Sequence, residues 1–144
     1  MFIKRLGSLF LAFVSIVAFS VNTYAVETDV YEAPVIDING YQTVSEVSSG
    51  LTISGTTATC RSVAVGLVGV TNITVTQTLQ RKNGSSFSNV SGALWSISEN
   101  DDYVNFENTK SGLSSGTYRV KSFFTVKKGS TTEEITSYSR EVTI

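Results

Sequence analysis

An all-β sandwich of two antiparallel sheets is the fold this sequence predicts, on three observations. From Tyr41 to the C-terminus, apolar and polar residues alternate with a period of two, in stretches rich in Val, Ile, Thr and aromatics. Turns containing Gly, Ser or Asn cut those stretches at short, regular intervals. No segment carries a helical period. About seven short strands so punctuated suit two packed sheets.

The chain opens with three parts in a recognisable order. Lys4 and Arg5 form a short positive region, and Leu6 to Phe19 is apolar apart from Gly7, Ser8 and Ser15. Thr23-Tyr24-Ala25 then places small residues at −3 and −1 of a cut before Val26. This is the pattern of a secretory signal peptide over residues 1–25. The apolar run is shorter than the roughly 20 residues that span a bilayer, so no membrane span is expected after cleavage. No Cys follows the run, so a lipid-anchored form is not expected. Residues 26–40 hold Glu27, Asp29, Glu32, Asp37 and the one proline, Pro34, without firm periodicity. They read as a flexible acidic leader. The β-domain is expected over residues 41–144.

Within that domain, Leu51 and Ile53 alternate before a Ser54-Gly55 turn. Ala58, Cys60, Ser62 and Ala64 share a face against Thr57, Thr59 and Arg61. Beyond Ser62 the parity falters, because Val63 and Val65 suggest a bulge or a crossing between sheets. Ile73, Val75 and Leu79 oppose Thr74, Thr76, Thr78 and Gln80, and Asn83-Gly84 then makes a turn at low steric cost. Phe87, Val90, Trp95 and Ile97 mark the next region, and Val104 with Phe106 a short strand. Thr117 to Lys127 has the clearest pattern: Tyr118, Val120, Phe124 and Val126 against Arg119, Lys121, Phe123 and Thr125. Lys128-Gly129-Ser130 turns into a closing strand, Thr132 to Ile144.

One passage narrows the class to an immunoglobulin-like sandwich. Ser115-Gly116-Thr117-Tyr118-Arg119-Val120 is a turn entering a strand through a tyrosine, as in the tyrosine corner of such domains. The Tyr118 hydroxyl is expected to bond back to backbone near Ser111 to Leu113. An inward Cys60 on the second strand then faces Val120, two residues after Tyr118, which cannot form a disulfide. Cys60 is expected to be a buried, reduced thiol.

Three passages carry a resemblance: Ser54-Gly55-Thr56-Thr57-Ala58-Thr59-Cys60, Thr78-Leu79-Gln80-Arg81-Lys82, and Ser115-Gly116-Thr117-Tyr118-Arg119-Val120-Lys121. Over about Leu51 to Ile144 the chain resembles an uncharacterised family of small secreted proteins of Gram-positive bacteria. Each member pairs a signal peptide with a Ser/Thr-rich β-domain of unknown function. The resemblance implies a fold and export, and it supplies no activity. The chain departs from it at Phe87, where a tryptophan is common, and in the acidic stretch Glu99 to Asp102.

Composition removes several chemistries. The sequence has no His and one Cys, so a His-based triad, a His metal cluster and a Cys zinc site are excluded. The formal net charge is −1 and becomes more negative once Lys4 and Arg5 are removed, which argues against a general nucleic-acid binder. Glu133-Glu134 and Asp101-Asp102 are sequence neighbours, which point to opposite faces of a strand, whereas glycoside hydrolysis needs two converging carboxylates. No catalytic residue and no cofactor is expected. Asp101, Asp102 and Asn105 are weak calcium candidates, without the glycine-bearing loop that a regular calcium site requires. Three Asn-X-Ser/Thr triplets, at Asn72, Asn83 and Asn89, match the glycosylation pattern and are expected to be silent in a bacterial protein.

The candidate binding residues are Arg119, Lys121 and Phe123, on the outer side of the Thr117–Lys127 strand. If that strand neighbours Ile73–Arg81, their face gains Thr74, Thr76, Thr78 and Gln80. Such a face suits docking of an anionic or glycan polymer of the cell envelope; the competing reading is a solvated surface balanced by Glu133 and Glu134. Cys60, Tyr118, Val120 and Trp95 are expected to be structural. The expectation is a secreted, non-catalytic binding module, extracellular or wall-associated, whose partner is an envelope polymer or another extracellular protein. The alternatives are an assembly protein that pairs through edge strands and, less favoured, a glycan-active enzyme.

Overall fold

Residues 38–144 are described by a computed structural model, and the expected signal peptide and residues 26–37 lie outside them. Eight strands form: β1 (Val44–Ser54), β2 (Thr57–Gly66), β3 (Val70–Asn83), β4 (Ser86–Glu99), β5 (Tyr103–Lys110), β6 (Thr117–Lys128), β7 (Thr131–Tyr138) and β8 (Val142–Thr143). There is no helix among the described residues. One sheet has the order β1-β2-β5 and the other β4-β3-β6-β7, with β8 also on β6, and every pairing is antiparallel. β1 and β2 pack across β3, β6 and β7, making a β-sandwich. The fourth strand pairs with the third and not the fifth, unlike the seven-strand constant immunoglobulin arrangement.

Three features differ from the sequence reading. The closing segment is two strands, because Ser139 interrupts it. The buried Ser139 side chain accepts from the Val120 amide (2.8 Å) while its own amide donates to the Val120 carbonyl (2.9 Å). A serine thus replaces one rung of the ladder, and β7 and β8 lie end to end along the same edge of β6. Val63 and Val65 mark no bulge: β2 holds one register against β5 from Ala58 to Val65, and the irregularity sits on β1 between Val44 and Glu46. Ile38, placed in the leader by the sequence reading, packs against the core. The adjoining chain is fastened by Glu133, whose carboxylate accepts from the Thr43 hydroxyl (2.5 Å) and the Gln42 and Thr43 amides.

Inward residues follow the predicted parity and fall into two apolar clusters. Val47, Val75, Phe124, Val126 and Ile135 belong to one, and Leu51, Cys60, Leu79, Tyr118 and Val120 to the other. Along β1, β2, β3 and β6 the boundary between them is a polar side chain, Ser49, Ser62, Gln77 and Ser122, and β5 and β7 add Asn108 and Ser137 beside it. These groups largely satisfy one another. Ser122 Oγ meets Ser49 Oγ and Ser62 Oγ, each at 2.6 Å, Gln77 Nε2 donates to Ser62 Oγ (2.7 Å), and Asn108 Nδ2 donates to Gln77 Oε1 (3.1 Å). Such a layer admits one register, because a slip of one residue turns each polar group outward and leaves its partners buried and unpaired.

Candidate functional site

β3 and β6 are neighbours, so the condition set by the sequence reading holds. Their register puts Gln80 opposite Arg119, Thr78 opposite Lys121, Thr76 opposite Phe123 and Thr74 opposite Thr125. Period-2 alternation sends all eight outward, because Leu79, Val75, Val120 and Phe124 between them are buried. β7 adds Tyr138 opposite Lys121, and β4 adds Asn89 opposite Gln80 and Leu94 opposite Thr78. The face therefore carries threonine hydroxyls, two cations and several aromatic or apolar side chains, with Thr78 and Gln80 covered by their neighbours.

Arg119 is built into this face. Its guanidinium carbon lies 3.8 Å from the Phe87 ring centroid and 4.1 Å from that of Tyr138, both within cation–π range. Its Nε donates to Gln80 Oε1 (3.0 Å), and Gln80 Nε2 in turn donates to Asn89 Oδ1 (3.0 Å). Two rings and an amide chain thus hold the guanidinium in one orientation. Lys121, by contrast, has no hydrogen bond or ion pair among the described residues, so its ammonium is available to a ligand.

A bulge shapes the ground beside Lys121. Between Gln80–Asn89 and Thr78–Leu94 the register shifts, with Val90 to Ala93 facing Leu79 alone. Gly92, at φ 68°, supplies the left-handed turn that this detour needs. A hollow of about 210 Å³ opens there, lined by Thr76, Thr78, Asn89, Lys121 and Phe123. Bulges recur where a sheet re-aims side chains at a site.

The remaining predicted residues fall elsewhere. Tyr118, 2% exposed, donates its hydroxyl to the Ser114 carbonyl at 2.6 Å, the geometry of a tyrosine corner one residue beyond the expected Ser111 to Leu113. Cys60 is a free thiol, fully buried in the same apolar cluster as Val120, and burial pushes its pKa up to about 12. Trp95, half-buried, packs against that cluster. The calcium candidates do not converge. Asp101 accepts from the Asp102 amide (2.7 Å), while Asn105 lies on β5 and accepts from Arg61 Nε (2.9 Å). Among the described residues no group of three acidic or sulfur ligands is placed to hold a metal. Glu133 and Glu134 diverge as expected: Glu134 opposes Thr125 on the outer face, and Glu133 clamps Gln42 and Thr43.

Phe87, Tyr138, Gln80 and Asn89 complete the face, yet only Gln80 was foreseen on it. Tyr138 shares parity with Glu134 and Thr136, which was a usable signal. Nothing in the local sequence of Phe87 places it over Arg119, two strands away.

No family model matches the chain, and no curated protein matches it. Among solved structures it is similar to the crystal structure of wild-type OgpA from Akkermansia muciniphila, with 13% identity and a TM-score of 0.37. That likeness covers 72% of this chain and 31% of the other, so the chain spans about a third of the length of the protein it matches.

Proposed function

We propose that this chain is an exported, non-catalytic binding module that attaches to an anionic polymer of the cell envelope through the outer face of the β4-β3-β6-β7 sheet. The observation that carries this reading is Lys121. It is a cation without a partner among the described residues, at a bulge-made hollow beside Phe123 and the clamped Arg119. A rigid scaffold holds these groups in place, so little side-chain freedom is lost on binding. The sequence of Met1 to Ala25 supports export, and cleavage before Val26 is the expected processing.

Co-sedimentation with the producing cell's envelope fraction tests the reading. The parent protein should pellet with the envelope, and less so as salt rises, because exposed charges are screened over about 10 Å at 0.1 M. Lys121→Ser with Phe123→Ser should remain in the supernatant with an unchanged denaturation midpoint. Arg119 is spared in that variant, because removing it dismantles the ring stack as well. A parent that stays in the supernatant, or a double variant that pellets like the parent, sinks the proposal. Assembly through edge strands is the second reading; the detour at Val90 to Ala93 breaks the long edge of β4 and disfavours pairing there.

A further inference from the structure

On the opposite side of the sandwich, Val63 and Val65 face outward from the second half of β2, where solvent-facing positions are normally polar. Tyr103 on β5 stands beside Val65, and Glu46 and Ser48 on β1 complete the other side. Together they enclose a hollow of about 330 Å³, within the range of small-ligand sites. Its floor is apolar, Tyr103 is 48% exposed, and its rim carries a carboxylate, a hydroxyl and the Arg61 guanidinium. A second hollow of about 250 Å³ adjoins it, bounded by Thr52, Thr59 and Glu107. Gly50 and Arg61 line both.

Gly50 is informative. It lies inside β1, where glycine weakens a strand, and it does not adopt the positive φ that would require glycine. A strand glycine without a bulge or a positive φ suits a place where a ligand or another backbone approaches closely. Arg61 sits opposite it, its Nε tied to Asn105 (2.9 Å), which orients the guanidinium and leaves its outer nitrogens for the groove.

We propose that this groove binds two consecutive rings of a neutral glycan chain. An aromatic ring and two valines match the apolar face of a sugar ring. A guanidinium donor with the Glu107 carboxylate opposite it, and the Glu46 carboxylate farther along the groove beside Val65, match hydroxyls on successive rings. Two carboxylates against one cation disfavour an anionic polymer, so this ligand differs in charge from the one that suits the Lys121 face. The two sites lie on opposite sheets.

Amide shifts of the isotope-labelled protein, titrated separately with chitotetraose, cellotetraose and maltotetraose, test the proposal. At least one sugar should move Val63, Val65 and Tyr103 while leaving Lys121 and Phe123 in place. Tyr103→Ala should weaken that binding by about tenfold or more. Gly50→Val should abolish it with an equal or higher denaturation midpoint, since the glycine serves the groove and not the strand; should that variant fail to fold, Tyr103→Ala decides. Silence with all three sugars at 10 mM, or unaltered binding by Tyr103→Ala, overturns the groove. Neither result bears on the Lys121 face, whose test uses other residues and the envelope itself.

Discussion

Replacing Gln77 with leucine isolates what the polar layer contributes. Gln77 is fully buried in the middle of β3, donates from Nε2 to Ser62 Oγ (2.7 Å) and the Phe106 carbonyl (3.2 Å), and accepts from Asn108 Nδ2 (3.1 Å). Leucine nearly keeps the volume and removes all three bonds. Ser62 retains Ser122 at 2.6 Å and loses little. The Phe106 carbonyl and the Asn108 amide are left without that partner, both on half-buried residues of an edge strand that water partly reaches. An unsatisfied buried group costs about 1–3 kcal/mol, so two cost about 2–6 kcal/mol, and because both contacts are only part-buried the total falls in the lower part, about 2–4 kcal/mol. Leucine returns about 1 kcal/mol or more through its apolar surface. The net loss is about 2 kcal/mol, a fall of roughly 8 °C or more in Tm for a domain of this size. Urea melts with an unchanged slope measure it. A companion variant combining Ser49→Ala, Ser62→Ala, Gln77→Leu, Asn108→Leu and Ser122→Ala removes partners together, and should recover part of the loss, since matched removal spares most of the desolvation penalty. The reasoning fails if Gln77→Leu is as stable as the parent, or if the compound variant loses the plain sum of its single effects.

Three further outcomes follow from the same structure. Tyr118→Phe removes the hydroxyl bonded to Ser114, and because that carbonyl is only part-buried the cost should lie near the low end of about 1–3 kcal/mol by denaturant melt; an unchanged midpoint would reduce Tyr118 to apolar filling. Cys60, with its thiol pushed up to about 12 by burial, should alkylate slowly at neutral pH in the folded protein and rapidly in denaturant; fast native labelling or a covalent dimer would contradict its inward placement. The Thr43 hydroxyl, followed by the Gln42 and Thr43 amides, holds the Glu133 carboxyl below its ordinary range. A depressed carboxyl pKa stabilises above the unfolded value and ceases to do so as pH falls through the folded one. The stability difference between parent and Glu133→Gln should therefore be full at neutral pH and vanish under acid conditions, and a pH-independent difference would show that the carboxylate charge is irrelevant.

Strand parity was legible in the sequence because it is local. Leu51 with Ile53, the run Ala58 to Ala64, and the two faces of Thr117 to Lys127 each follow from the two-residue repeat, and burial matches all three. The outward placement of Arg119, Lys121 and Phe123 and the inward placement of Cys60 came from the same arithmetic. Adjacency is a different quantity, since it depends on which strands meet. Gln80 and Arg119 are 39 residues apart, and only the β3–β6 pairing brings their side chains within 3.0 Å. The Phe87–Arg119–Tyr138 stack needs four strands, β4-β3-β6-β7, in one order, and alternation within a single strand carries no information about order. The valines at 63 and 65 show the limit most plainly. By parity they face water, and in the sequence such outward apolar residues read as a bulge or a crossing between sheets. The tertiary structure keeps the strand whole and floors a groove with them, because whether an outward apolar residue is an error or a surface depends on the neighbours that β1 and β5 set beside it.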